Sequence, residues 1–519
     1  MNIPYNDTKD RKGASMSYAT LKDLVDDQAR EREKEAFILS PVTKECLTFG
    51  ELKEKTGQLA EVLKTQGLVK GEKVSLMLKN GISAAISFYG VTCAGGVVIP
   101  INFNLKENDL TYLLEDSDSR YLITSKDIME NLPEPIKRLE TVILEQDLYL
   151  LKLRERDQSQ SYIEDDNIRE EDMALILYTS GTTGKPKGVI LTHKNLIAEA
   201  FHIYEAHKLT SEDRVLCLLP LYHINGLVVT LITPLLAGLS IVMPEKFSAS
   251  RFFHWIFEYQ VAWFSAVPTI LSIILGKEVD KNLDLSSLKF ARSASAALPV
   301  AVLEEFEHRF HIPVIESYGI SEGGSQITTN PMPPEKRKAG SVGLPYGNEL
   351  LVVDEQNQIC KPHQEGEVIV KGDNISAGYY KKEEETQKSF REGWFYTGDL
   401  GYKDEDGYLF LKGRKKELIN RAGEKFSPRE IDEVLYLIPE VELAAAVGVP
   451  DPLYNEEVVA YIKLREGTQL DAEVILNFCR ERLVEFKTPK EILFTEDFPK
   501  GPSGKIQRLK LAQQYVKEK

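Results

Sequence analysis

Short apolar runs alternate with segments of helical spacing over the first two thirds of the chain, and this alternation limits the fold. The runs at 74–78 (VSLML), 96–101 (GVVIPI), 215–219, 240–244 and 262–267 are too short for buried helices and read as strands. Residues 82–88 between the first two read as a helix. Strands that are apolar throughout need cover on both faces, which predicts parallel sheet flanked by helices. From Asn348 the texture changes. Short strands at 350–353, 366–370 and 408–411, with a turn at Asp406-Gly407, predict a compact β unit. After Gly413 a mixed α and β segment follows, in which Ser427-Pro428-Arg429-Glu430 signals a helix start. Serine caps, proline takes the first helical position and Glu430 would close a capping box. The predicted architecture is α/β. A large N-terminal domain of helix-flanked mixed sheets spans 1–412 and includes a small β-barrel-like subdomain at about 345–412. A small, mobile α+β C-terminal domain spans 413–519.

Composition removes several classes of function. With 519 residues, about 150 per domain suggests roughly three structural units. Sixty-four Lys and Arg against 80 Asp and Glu leave a net charge of −16, which disfavours general binding to nucleic acid or anionic lipid. A local basic pocket can still hold phosphates. The apolar stretch at 228–243 is shorter than the ~20 residues of a membrane span and contains Pro234, and the opening segment lacks a secretion-signal pattern. Five scattered cysteines (Cys46, Cys93, Cys217, Cys360 and Cys479) indicate neither a disulfide framework nor a zinc site. The expectation is a soluble, cytoplasmic, multidomain protein.

The stretch ALILYTSGTTGKPKGVILT at 174–192 carries the most chemistry. Two apolar runs flank a loop with Gly181, Gly184 and Gly188, hydroxyls at Thr179, Ser180, Thr182 and Thr183, and cations at Lys185 and Lys187. Glycines let backbone N–H groups converge on an anion, hydroxyls add donors and lysines neutralise charge, as a polyphosphate requires. The Walker pattern does not fit, because Pro186 stands five residues after Gly181 and a strand follows.

YTSGTTGKPKGV resembles the signature loop of the adenylate-forming superfamily, which includes acyl- and aryl-CoA synthetases, adenylation domains and luciferases. Further family motifs appear in order: PLYHINGL (220–227), RSASAALP (292–299), ESYGISE (316–322), YTGDLGY (396–402), GRKKELINRAGEKFSP (413–428) and PKGPSGKIQR (499–508). The wording around RSASAALP and NPMPP is most similar to oxalate–CoA ligases and related small-acid ligases. The resemblance implies an ATP- and Mg²⁺-dependent ligase. A carboxylate attacks the α-phosphorus of ATP, pyrophosphate leaves, and a thiol then displaces AMP from the mixed anhydride. The enzyme's task in such chemistry is to place reactants and balance phosphate charge.

The same resemblance assigns roles. Thr179, Ser180, Gly181, Thr182, Thr183, Gly184, Lys185 and Lys187 hold the β- and γ-phosphates, and Glu322 with Thr179 serves the metal. Ser321 replaces the family's usual threonine but keeps the hydroxyl. Ser295, Ala296, Ala297, Glu316, Ser317, Tyr318 and Gly319 line the nucleotide and acyl site, with Tyr318 stacking on adenine. Asp399 accepts from the ribose hydroxyls, and Arg414 contacts ribose and phosphate. Lys505 neutralises charge at the α-phosphate and the attacking carboxylate. Lys416 matches the hinge about which the C-terminal domain turns. That turn exchanges Lys505 for Arg421, Gly423, Glu424 and Lys425 beside the thiol channel. His223 matches a position between acyl pocket and thiol tunnel; with no partnered acid or nearby serine it is not a hydrolase triad member.

Departures from the family pattern bear on the substrate. Ser295-Ala296 stands where relatives often carry two glycines, which shortens the acyl pocket and predicts a small acid with Ser293 and Ser295 as candidate donors. Gly323 and Gly324 leave space in the opposite sense, Ser325 stands where some oxalate ligases carry histidine, and Asn455 replaces a usual glycine. The expected co-substrate is coenzyme A. The alternatives are a fatty acyl-CoA ligase, a loading ligase for a carrier protein's phosphopantetheine, oxidation of the adenylate as in luciferases, and a non-catalytic ATP-binding module.

Overall fold

The computed structural model describes residues 18–145, 147–155, 167–179, 186–280, 282–500 and 505–519. Two large sheets dominate the first two thirds. The seven-stranded sheet runs Thr141–Glu145, Leu148–Lys152, Ser119–Ser125, Lys73–Met77, Val97–Pro100, Met173–Thr179, Lys187–Thr192. Its middle is parallel, and both edges are antiparallel hairpins. In the nine-stranded sheet the six strands Val314–Tyr318, Phe290–Ser293, Trp263–Ala266, Arg214–Cys217, Ser240–Val242 and Ala36–Leu39 are parallel.

Helix Ile82–Cys93 explains how the two sheets meet. Nine of its twelve residues, Ala84 to Thr92, are buried, so it is a core helix packed on every side rather than an amphipathic surface one. It shares one apolar core with Val74 and Leu175 of the first sheet and with Ile38 and Val215 of the second. Helix His193–Ala206 follows strand Lys187–Thr192 without a loop. Thr192 accepts from Asn195 N and Asn195 returns the bond to the Thr192 backbone, which starts the helix abruptly.

The segment expected to be β-rich forms an antiparallel five-stranded sheet of Glu349–Val353, Gly366–Lys371, Phe390–Arg391, Trp394–Lys403 and Leu409–Arg414. The chain then turns at 415–417. In the C-terminal unit a second five-stranded sheet, with Glu491–Phe494 added parallel to Asn455–Leu464, is covered by helices Pro428–Leu435, Ala472–Arg480 and Arg508–Glu518. One local expectation fails. Ser427 caps its helix by accepting from Arg429 N, but no capping box forms, because the Glu430 carboxylate pairs with Lys487 at 2.6 Å instead. Ile431 and Leu435 are fully buried beneath that helix, as its pattern predicts, while Val434 is half-buried. Among the described residues no helix is long and apolar enough to cross a membrane, and all five cysteines are free thiols.

Candidate active site

The carboxyl ends of parallel strands are where an open α/β sheet leaves a crevice. Here Val267-Pro268 follows Trp263–Ala266, Ser295 to Ala297 follow Phe290–Ser293, and Ser317-Tyr318 end Val314–Tyr318. All of them line one cleft, closed from the other side by Asp399, Arg414 and Lys505. Gly319 has no freedom to be another residue, since a Cβ there would sit 1.2 Å from the Ser325 carbonyl oxygen. Adjacent antiparallel strands put Asp399 opposite Arg414. The Asp399 carboxylate, 6% exposed, accepts from Tyr318 OH at 2.5 Å and from Arg414 Nε at 3.0 Å. Burial, then the Asp399 charge, pushes the Tyr318 phenol well up, so it remains a donor. Asp399 in turn holds the Arg414 guanidinium above its ordinary value.

Lys505 is open to solvent within the cleft yet crowded by protein. That crowding lowers its ammonium below the usual lysine range; Glu417 and Asp399 oppose the shift and Arg414 adds to it. Glu316 lies under the wall. One of its oxygens accepts from Leu298 N at 3.1 Å, the other has no partner among the described residues, and burial pushes its carboxyl up to about 7.

Where the sequence places phosphate binding, Thr179 and Lys187 face each other at the mouth of a hairpin. The loop between them, with the assigned Ser180, Gly181, Thr182, Thr183, Gly184 and Lys185, lies outside the described residues. Lys187 Nζ stands 5.1 Å from the centre of the Tyr379 ring, and Tyr379 OH donates to Glu322 Oε1 at 2.7 Å. A tyrosine thus bridges the hairpin and Glu322, which sits with Ser321 in the turn Ser321–Gly323. Among the described residues no group of three or more His, Cys, Asp or Glu could cage a metal. A magnesium ion shared with substrate phosphates needs only one or two protein carboxylates, and Glu322 with its second oxygen fits that demand.

Where the sequence expects the acyl pocket, His223 leads into a π-helix, Asn225–Ile232, where sequence spacing shows only an apolar run. Asn225 Nδ2 donates to Ser295 Oγ at 3.0 Å. Ser295 has φ +71°, a left-handed conformation that costs a non-glycine residue about 1–3 kcal/mol. The chain therefore keeps a hydroxyl where backbone geometry favours glycine, and Asn225 holds it in place.

The cleft gathers Ser295, Ala296, Ala297, Ser317, Tyr318, Gly319, Asp399, Arg414 and Lys505. It does not gather the thiol-side set. Arg421 forms an ion pair with Glu457 at 2.5 Å, and Gly423 (φ +94°) turns the hairpin that carries Glu424 and Lys425. Lys416 lies in the turn at 415–417, and Asn455 adopts φ +70° with its Nδ2 donating to Asn420 O. That left-handed φ explains why glycine suits position 455 and why asparagine is tolerated. Glu417, Arg429 and Arg508 also line the cleft. Motifs at 413–428 and 499–508 contained or adjoined all three, but only their shared cleft exposes them. Arg292, buried behind the wall, carried no assignment either.

Comparison with known proteins places this geometry. Residues 25–380 match the family model described as "AMP-binding enzyme", and 430–505 match "AMP-binding enzyme C-terminal domain". A sulfoacetate–CoA ligase of Cupriavidus necator is 41% identical over 95% of this chain and 97% of its own length. An oxalate–CoA ligase of Arabidopsis thaliana is 38% identical over 87% and 90%. Among solved structures, an anthranilate CoA ligase in complex with anthranoyl-AMP aligns with a TM-score of 0.86 at 27% identity, covering 96% of this chain and 99% of that one. The o-succinylbenzoate CoA synthetase of Bacillus subtilis, with ATP and magnesium ion, aligns at 0.78 and 28% over 94% and 98%. The chain belongs to the AMP-binding enzyme family, as an adenylate-forming ligase of the acyl-CoA synthetase type.

Proposed function

We propose that this enzyme activates a small, polar carboxylic acid with ATP and transfers the acyl group to free coenzyme A. The observation that carries the reading is the shared cleft in which Asp399, bonded to Tyr318 and Arg414, faces Lys505 from the C-terminal unit. Asp399 takes the ribose hydroxyls on its remaining lone pairs, Tyr318 packs against adenine, and Arg414 meets ribose and phosphate. The loop from Thr179 to Lys187 holds the β- and γ-phosphates, and Glu322 with Thr179 holds Mg²⁺, which neutralises phosphate charge when bound. A carboxylate oxygen of the acid bonds to the α-phosphorus and the bond to the β-phosphate oxygen breaks, releasing pyrophosphate. Lys505 balances charge at that centre.

The thiol then attacks the acyl carbon, AMP leaves, and the thiol proton passes to solvent. In this arrangement Lys505 occupies the cleft, so we assign it to the adenylation step. The division after residue 412 and a hinge at Lys416 belong to the same proposal: rotation there withdraws Lys505 and presents Arg421, Gly423, Glu424 and Lys425. Ser295 and Ala296 in place of glycines close the acyl end, and the names of the sulfoacetate and oxalate relatives agree with a short acid. His223 stands between acyl and thiol spaces.

The test is acid-dependent ATP–pyrophosphate exchange across a panel of C2–C6 acids and C12–C16 fatty acids, followed by thioester assay with CoA or a holo carrier protein. Fastest exchange with a short acid and transfer to free CoA are expected. Highest kcat/KM on C12–C16 acids refutes the small-acid reading, and transfer only to the carrier refutes free CoA.

A further inference from the structure

Strand Phe290–Ser293 carries a charge that the chemistry above leaves unused. Arg292 is 1% exposed. Its Nη1 donates to Ser265 Oγ at 3.2 Å and Asn225 Oδ1 at 3.3 Å, and its Nη2 donates to Gln326 Oε1 at 3.2 Å. None of these partners is a carboxylate, and Arg292 Nε finds no acceptor among the described residues. Gln326 Nε2, in a side chain 0% exposed, finds none either.

Glu199 is the nearby acid, but its oxygens are engaged by Gln326 N and by Asn374 Nδ2. Among the described residues no hydrogen bond or ion pair joins it to the guanidinium; burial raises the Glu199 carboxyl above the usual range and lowers Arg292 to about 10, each opposed by the other's charge. A buried guanidinium with no carboxylate bonded to it and two orphan donors in a protein interior cost stability. Such an arrangement is intelligible where an anion arrives from outside.

The route to the cleft is short. Asn225 takes the guanidinium on Oδ1 and donates through Nδ2 to Ser295 Oγ, and Ser295 lines the cleft. Because Ser295 Oγ accepts from Asn225, its own O–H is left to donate toward a ligand. The positive charge therefore stands two hydrogen bonds behind the acyl wall, in a dry region where its field is weakly screened.

We propose that Arg292 is a specificity-determining residue, acting through Asn225 and Ser295, that selects acids with a second anionic group, carboxylate or sulfonate, remote from the activated carboxylate. This rests on the small-acid reading of the cleft and deepens it. Arg292 is a positioning residue, since it reaches the substrate only through others.

The test compares acids that differ in charge and little in shape: sulfoacetate with methylsulfonylacetate, and malonate with malonamate. ATP–pyrophosphate exchange is measured for the natural enzyme and for Arg292→Lys, Arg292→Gln and Gln326→Glu. The natural enzyme is expected to favour the charged member by about tenfold or more in kcat/KM, chiefly through KM. That is the size one unit charge gives at this remove and an effective dielectric of about 20. Arg292→Lys keeps part of the preference, and Arg292→Gln brings the ratio near one. Gln326→Glu is nearly isosteric and puts a carboxylate on the guanidinium, so it also collapses the ratio even if Arg292→Gln folds poorly. A natural-enzyme ratio at or below one, or a ratio untouched by Gln326→Glu, overturns the inference while leaving the small-acid reading intact. Exchange with fatty acids alone overturns both.

Discussion

Replacing Lys505 by alanine separates the two half-reactions more cleanly than any other single change. Its ammonium is one of the cations that the C-terminal unit brings into the cleft, and Asp399 and Glu417 are the carboxylates that act on it. A unit charge ~3.5 Å from a phosphoryl oxygen is worth about 5 kcal/mol at an effective dielectric of about 20. Part of that is already present with bound ATP, so about 3–4 kcal/mol remains specific to the transition state, or ~10²–10³ in rate. Pyrophosphate exchange should fall by that factor. Thioester formation from supplied acyl-AMP and CoA should stay within a few-fold, because the proposed rotation withdraws the lysine before that step. A pH profile adds a second readout. Crowding lowers the Lys505 pKa, so the cation is lost at lower pH than for an ordinary lysine, and exchange should decline as pH rises through that value. The alanine variant lacks this alkaline limb. Equal loss in both half-reactions, or an alkaline limb that survives in the variant, refutes the assignment.

Three further outcomes follow from the same geometry. Asp399→Asn leaves Arg414 in the cleft without its counter-charge and weakens the bond from Tyr318, so the KM for ATP should rise ~10–100-fold, as steady-state exchange would read. Glu316→Gln should remove a pH slope from stability. Below about 4.5 the carboxyl is protonated folded or unfolded; above about 7 burial of the carboxylate is fully felt, so the natural protein loses about 3 kcal/mol as pH rises between them, and the glutamine variant does not. Denaturant melts at pH 6 and 8 that shift equally in both proteins would contradict this. Lys416→Pro fixes φ in the turn that Glu417 N closes on Arg414 O at 2.8 Å. It should slow single-turnover thioester formation at least about tenfold while exchange changes little, and an undiminished thioester rate would count against a hinge there.

How much of this was legible in the sequence depends on the range of the interactions. Strands and helices signalled by local apolar spacing fall where expected: the runs at 74–78, 215–219 and 262–267 become Lys73–Met77, Arg214–Cys217 and Trp263–Ala266. The Ser427 cap was readable for the same reason, but the capping box that the same four residues predict does not form, because Lys487, 57 residues further on, takes the glutamate. The motif residues could be named from the chain, but their relations could not. Asp399 opposes Arg414 only through sheet register, and Tyr318 reaches Asp399 only because a parallel sheet and an antiparallel one share an edge of the cleft. Backbone conformation is equally silent. Nothing in RSASAALP states that Ser295 stands at φ +71°, nor in the run from Asn225 that it winds as a π-helix. Arg292 is the sharpest case. A lone arginine beside small residues reads as a surface charge, and only the closing of Asn225, Ser265 and Gln326 around it, from 67, 27 and 34 residues away, makes it a buried cation. Sequence carries the chemistry of each group; the fold decides which of them are bonded to which, and a buried cation bonded to no carboxylate is visible only there.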